Sequence, residues 1–246
     1  MTVAYYMTFG LSSVSWPWLE WVQGMFSIAA ISSLPLQIVA AELTGSFLQY
    51  WQHRALHRVP LFWETHKFHH SAEQMTTLSL FRETPFTTAL NSSLIALPVA
   101  AIGGLILPAN PTTLDLIILV PSGLYVGFNS INQFLIHSNL NISYGWFGRY
   151  FMVSPANHRV HHSILPDHFG KNFSVTLVLW DRVFGTFHEG IDPLSQNCPV
   201  GYDGNIYNQS RSIVIEYFYP TLAFFMGILG REWPVRKKRR QRPQYN

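Results

Sequence analysis

"HKFHHSAEQM" (His66–Met75) and "HRVHHSILPD" (His158–Asp167) place one spacing, H-x-x-H-H, at two positions of the same chain. With 11 histidines in 246 residues, chance alone would supply that spacing roughly 0.02 times per chain, so two copies lie outside the false-positive range of a short motif. On a helix, residues i, i+3 and i+4 lie above one another. Each copy is therefore predicted to set three imidazoles on one helix face. A third set, "HRALH", puts His53 and His57 four residues apart, again on one face.

Imidazole is the commonest side-chain metal ligand and suits iron, zinc, copper and nickel. His53, His57, His66, His69, His70, His158, His161 and His162 carry the motifs, and His137 ends an apolar stretch between them. That many converging imidazoles exceed what one ion coordinates, so two metal ions are predicted. His168 and His188 stand alone and read as ordinary polar residues. No Glu is followed three residues later by His, which excludes the carboxylate-rich di-iron bundle. H-E-x-x-H is absent, and one cysteine, Cys198, excludes an intramolecular disulfide and a thiolate cluster. An all-histidine dinuclear site remains.

Composition points to a bilayer. The chain is 48% hydrophobic and 12% charged, where soluble domains are roughly 25% charged. A bilayer core needs about 20 apolar helical residues, and three stretches qualify: Gln23 to Phe47, Phe86 to Pro108, and Thr113 to His137. "LPANPTT" joins the last two as a breaker, so they read as a hairpin. A fourth stretch from Ser212 is interrupted by Glu216 and Pro220. Lys and Arg are absent before Arg54 and from the hairpin turn, whereas the tail 231–246 carries seven of the 16. By the positive-inside bias, all three basic regions face the cytoplasm, and a spanning fourth segment would put the tail outside. That segment is therefore read as interfacial or re-entrant.

Every motif histidine then falls at or beyond the same membrane face. The basic tail is a headgroup-binding segment, so the alkaline pI requires no nucleic-acid partner. Tyr5, Tyr6, Trp16, Trp18 and Trp21 read as an interfacial belt. Glu42, inside the first stretch, is either a functional acid or a partner of Asn129, Asn132 or Gln133. A single domain over 1–246 is expected, without repeats beyond the histidine motif or a linker.

"FLQYWQHRALHRVPLFWETHKFHHSAEQM", "FLIHSNL", "SPANHRVHHS" and "LVLWDRVFGTFHEG", in this order between Glu42 and His188, resemble the membrane-bound fatty acid hydroxylase and sterol desaturase superfamily. The resemblance implies a non-haem di-iron centre that uses oxygen and electrons from a separate carrier to oxidise C–H bonds of lipids. Position by position, its histidine boxes fall on His53 and His57, on His66, His69 and His70, and on His158, His161 and His162, with its single histidine on His137. The chain departs from the family pattern at Ser46, where many members have an acid, at Arg82 to Pro85 in place of R-x-H-P, and at Asn172, Phe173 and Ser174 in place of N-Y-G. The family begins with one more membrane helix than this reading finds.

Ligating imidazoles need partners for their second ring nitrogens. Asn139, Asn157, Asn172, Asp181 and Glu73 are close enough in sequence to supply them, Asp181 foremost because "LWDRVFGTF" matches the family. The sequence thus predicts an all-α integral membrane protein, three spans with an interfacial fourth segment, and a cytosolic helical cap holding two iron ions, with zinc as a replacement. The predicted function is oxygen-dependent hydroxylation of a lipid drawn from the bilayer. The alternatives are desaturation of a sterol or acyl lipid, and non-enzymatic metal binding or transport.

Overall fold

The computed structural model describes residues 34–94, 127–202, 207 and 213–230. Parts of all three predicted spans, the aromatic N-terminal cluster and the basic tail lie outside those residues. Among the described residues the chain is helical, with two isolated antiparallel bridges, Met152 to Leu177 and Ser163 to Val200, in place of strands. None of the described helices is long and apolar enough to cross a membrane.

Helix α1 runs Leu34–Arg58. It stops where Val59 precedes Pro60, a position biased away from the helical region, and Val59 is extended at φ −96, ψ 116. Pro60, which fits a first helical position, opens α2, Pro60–His66. Residues 85–94 form α3 and residues 127–136 form α4. Short helices follow: α5 (Gly145–Tyr150), α6 (Pro155–His161), α7 (Leu179–Val183) and α8 (Pro193–Gln196). The last, α9, runs Ile213–Ile228 with Pro220 inside it. That 16-residue helix packs against α2, which also packs against α1. Its 16 residues rise ~24 Å, short of the bilayer's hydrocarbon core.

Two helices are apolar on the outside and polar within. On α1, Leu36, Val39 and Leu43 are exposed, while Ser46, Gln49 and His53 are buried. On α4, Phe128, Ile131 and Phe134 are exposed, while Asn129 and Asn132 are buried. The exposed residues recur at helical spacing, so each helix carries an outward apolar stripe. On α9 such a stripe runs through Val214, Phe218, Leu222, Phe225 and Leu229.

The interior joins these elements at two places. Ile136, Val153 and Val178 form a buried cluster with Phe187 against it. Tyr50, Phe173 and Phe184 pack behind α1, with Tyr50 and Phe184 stacked at 5.2 Å and Tyr50 edge-on to Phe173 at 6.1 Å. Trp180 on α7 donates to Ser46 Oγ at 2.9 Å, and Ser46 bonds back to the Glu42 carbonyl at 2.6 Å. Ser46 thereby ties α7 to α1. Glu42 lies beside Thr176. Asn132 and Gln133, offered as its partners, donate instead to the Val153 and Val175 carbonyls at 3.2 and 2.8 Å.

Candidate metal centre

Local signals place each histidine. His53 and His57 end α1, and His66 ends α2, with Lys67 as its C-cap. His69 and His70 then sit in a 3₁₀ turn, His69–Ser71. Arg82 clasps that turn by donating to the Phe68 carbonyl at 3.3 Å and to Ser71 Oγ at 2.5 Å. Further along, Ser154 and Asn157 form a reciprocal capping box with Pro155 at the first turn of α6. This cap fixes where the turn bearing His158, His161 and His162 begins. Gly190, at φ 70, lets the following loop approach α6, since a Cβ there would lie 2.6 Å from the Ala156 carbonyl.

The nine histidines separate into two groups. His53, His57, His66, His70 and His161 form one, and His69, His137, His158 and His162 form the other. Within each group one ligand atom per residue lies within 4.8 Å of all the others. This corrects the expectation that each H-x-x-H-H presents its three rings on a single face. The i and i+4 members, His66 with His70 and His158 with His162, share a group, whereas the i+3 member joins the opposite one. Consecutive helical residues point about 100° apart, so His69 and His70 diverge, as do His161 and His162. The two copies thereby donate two rings to one group and one to the other, in opposite senses. Their seam is the stacked pair His70 and His162, centroids 4.1 Å apart.

Nitrogen separations fit shared ions. Nε2 of His66 lies 3.0 Å from Nε2 of His53 and 3.2 Å from that of His70. In the second group, Nε2 of His137 lies 3.2 Å from His69 and 3.0 Å from His158, which is 3.1 Å from His162. For metal–imidazole bonds of about 2.0–2.1 Å, two nitrogens on one ion lie roughly 2.9 Å apart at right angles and roughly 3.3 Å apart at the tetrahedral angle.

Protonation fits as well. His53 Nδ1 donates to the Phe173 carbonyl at 2.6 Å, His161 Nδ1 to the Lys171 carbonyl at 3.0 Å, and His137 Nδ1 to the Gln133 carbonyl at 2.9 Å. A carbonyl only accepts, so those rings carry their proton on Nδ1 and turn an Nε2 lone pair inward. Nε2 of His57 and of His161 are buried without a hydrogen-bond partner. Burial holds His53 down to about 4. Burial, and then repulsion from neighbouring rings, holds His57, His66, His69, His70, His158 and His162 well below the ordinary 6.5, and burial does the same for His161. A neutral imidazole is the form that binds a metal. The donor set, its spacing and its protonation all fit two ions.

Four of the polar side chains expected to orient the rings, Asn139, Asn157, Asn172 and Asp181, hydrogen-bond elsewhere. Asn139 accepts from Arg159 at 2.7 Å, and Asn157 completes the α6 cap and donates to the His188 and Glu189 carbonyls. Asn172, at φ 53 in the left-handed region that Asn tolerates, donates to the Asn157 and His188 carbonyls at 2.8 Å each. Asp181 accepts from the Phe173 and Ser174 amides and from Thr186. The orienting groups are backbone carbonyls, and Asn172 and Asp181 hold the loop that carries two of them. His168 and His188 lie outside both groups. His168 Nε2 is 3.2 Å from Ser195 Oγ, and the His188 ring accepts from the Gly190 amide at 3.2 Å.

The fatty acid hydroxylase family profile matches residues 38–186, a segment that contains all nine histidines. The chain belongs to the fatty acid hydroxylase family. Among curated relatives, the alkylglycerol monooxygenase of Xenopus tropicalis is 32% identical over 143 residues, covering 57% of this chain and 28% of that protein. The ornithine lipid hydroxylase OlsE of Rhizobium tropici is 24% identical over 176 residues, 70% of this chain and 47% of its own length. A very-long-chain aldehyde decarbonylase of Oryza sativa subsp. indica is 29% identical over 160 residues, 61% of this chain and 23% of its own. The similarity therefore spans less than half the length of each of these three relatives. No solved structure matches the chain.

Proposed function

We propose that this member of the family is a membrane-bound lipid hydroxylase with a di-iron centre, His53, His57, His66, His70 and His161 holding one ion and His69, His137, His158 and His162 the other. The observation that carries this reading is the division of nine neutral imidazoles, eight of them buried, into two ligand-ready groups inside the segment that matches the family. Zinc fits the same donors and would substitute in purified protein. Bound iron supplies the activation of dioxygen and the removal of hydrogen from a C–H bond, with one oxygen atom entering the lipid and the other leaving as water after two electrons and two protons are consumed.

The chain's own residues prepare that chemistry. Phe173 and Trp63 pack against the five-histidine group, at 5.4 and 5.3 Å from the His57 ring, and exclude water that would promote side reactions. Carbonyl acceptors hold His53, His137 and His161 in the tautomer whose Nε2 faces inward. Electrons come from a separate carrier protein, in keeping with a sequence without a G-x-G-x-x-G signature.

The membrane setting rests on the apolar outer stripes of α1, α4 and α9, which cover buried polar residues on α1 and α4 as helices facing lipid do. With the charge bias, the histidine groups and the C-terminus lie on the cytosolic side of a multi-pass protein. The substrate is an amphiphile that enters from the bilayer, and the names of two relatives, alkylglycerol monooxygenase and ornithine lipid hydroxylase, favour hydroxylation of a lipid with a polar head over desaturation.

Lipid mass spectrometry tests this directly, comparing cells that carry the native chain with cells that carry His158→Ala, both under isotopically labelled oxygen. A product that gains one labelled oxygen atom only with the native chain is the expected result. Loss of two hydrogens without label would make the chain a desaturase. No lipid difference, with metal bound, would favour the metal-binding alternative.

A further inference from the structure

The Asp181 carboxylate is 1% exposed and is the single buried acid among the described residues. It sits in the first turn of α7, yet it does not cap that helix. One oxygen accepts from the Phe173 amide at 2.8 Å and from Thr186 Oγ1 at 2.7 Å, and the other accepts from the Ser174 amide at 2.9 Å. The Ser174 N–H and the Phe173 carbonyl belong to one planar peptide group. That carbonyl accepts from His53 Nδ1 at 2.6 Å. A carboxylate, one amide and one imidazole are thus aligned in series, each hydrogen bond polarising the next. Two residues earlier, the Lys171 carbonyl accepts from His161 Nδ1 at 3.0 Å. His53 and His161, from different helices, meet in the five-histidine group and hang from this loop. In the other group, the ring of His137, just past the end of α4, is tethered locally, to the Gln133 carbonyl four residues earlier.

We propose that Asp181 is a positioning residue for the five-histidine metal position, acting through the Phe173–Ser174 peptide on His53 and through the shared loop on His161. The inference rests on the dinuclear reading above. Its chemistry follows from charge: nine neutral imidazoles bring no negative charge to two divalent ions, and Asp181 supplies it at the distance of one peptide. A carboxylate behind the peptide raises the donor strength of His53 Nε2, and the rigid loop fixes both ring planes. The four-histidine position receives neither effect.

Zinc affinity of the full-length chain in detergent, measured by competition with chelators of graded strength, tests this. His161→Ala and His158→Ala mark which binding step belongs to which group. Asp181→Asn keeps the size but turns an N–H₂ group toward an amide N–H, so the step that His161→Ala weakens should itself weaken about 10–100-fold, while the other step stays unchanged. Thr186→Val, which removes one donor to Asp181, should weaken the same step by less. It decides the matter if Asp181→Asn fails to fold. Unchanged affinities, an effect on the step assigned by His158→Ala, or equal weakening of both steps would overturn the proposal. A native chain that binds fewer than two ions would overturn the dinuclear reading, and this inference with it. Two ions bound with both steps indifferent to Asp181 would overturn the inference alone.

Discussion

The five-histidine and four-histidine groups are built from the same motif but are held by different levels of structure. The first takes rings from α1, α2, the 3₁₀ turn after α2, and α6, and its His53 and His161 rings depend on a distant loop. The second takes a pair from α6, one ring from the 3₁₀ turn and one from just past the end of α4, and its His137 tether is local. A metal held by the first group would therefore be sensitive to distant tertiary contacts. One held by the second would be sensitive chiefly to the helices that carry that group. Geometry at a metal centre can be set by the loop behind a ligand as much as by the ligand.

The sharpest way to break this comparison is to remove one ligand from each group. The four-histidine group has no spare imidazole, so His158→Ala or His162→Ala should remove one ion and abolish lipid oxidation. His57, the one partly exposed ring of the five, leaves four behind when replaced by Ala, and that variant should retain both ions with reduced affinity. Elemental analysis beside a lipid-oxidation assay checks the pair. Equal loss of metal in His57→Ala and His158→Ala would erase the distinction.

Acid should affect both groups together. The folded chain holds these imidazoles neutral, His53 and His137 down to about pH 4 and the others well below 6.5, whereas the unfolded chain protonates them near 6.5. Between those values the unfolded state binds more protons, so stability rises with pH and is lost as pH falls from about 6.5 toward 4. Protons compete with metal in the same direction. Metal retention and thermal unfolding of the metal-free and loaded protein across that range should both decline on the acid side. A flat profile from pH 7 to 4 would contradict the burial of the rings.

The convergence of the nine histidines is legible in the sequence, because H-x-x-H-H is rare and imidazoles cluster for few reasons besides metal. The division into groups is not legible. It depends on α2 ending at His66 and on a 3₁₀ turn that redirects His69, and a histidine spacing does not encode where a helix stops. The sequence offers side chains as orienting partners, but the acceptors are backbone carbonyls, which every residue carries and no motif marks. Asp181, foremost among the side chains by its family match, and Asn172 act one link away, on the loop that bears those carbonyls. The fold reads similarly. Hydropathy marks apolar stretches, while the outward turn of Leu36, Val39, Phe128 and Ile131 depends on what α1 and α4 bury on their other sides.

Smaller effects sharpen the same contrast. Ser154→Ala removes the cap that sets the register of His158, His161 and His162, and should cost about 1 kcal/mol of stability and loosen both ions, since α6 serves both groups. Trp180→Phe deletes the 2.9 Å bond to Ser46 between α7 and α1, and should lower stability by about 0.5–1.5 kcal/mol with metal content unchanged. Thermal unfolding together with metal content separates these outcomes, and loss of metal in Trp180→Phe would place that contact inside the centre.

The most direct test of the central claim is the metal content of the full-length chain, purified without chelator and assayed in the same preparation for lipid oxidation. Two ions per chain in the active protein, iron giving activity and zinc binding without it, is the predicted result. A folded and active preparation without metal, or with a single ion that neither His158→Ala nor His161→Ala removes, would contradict it.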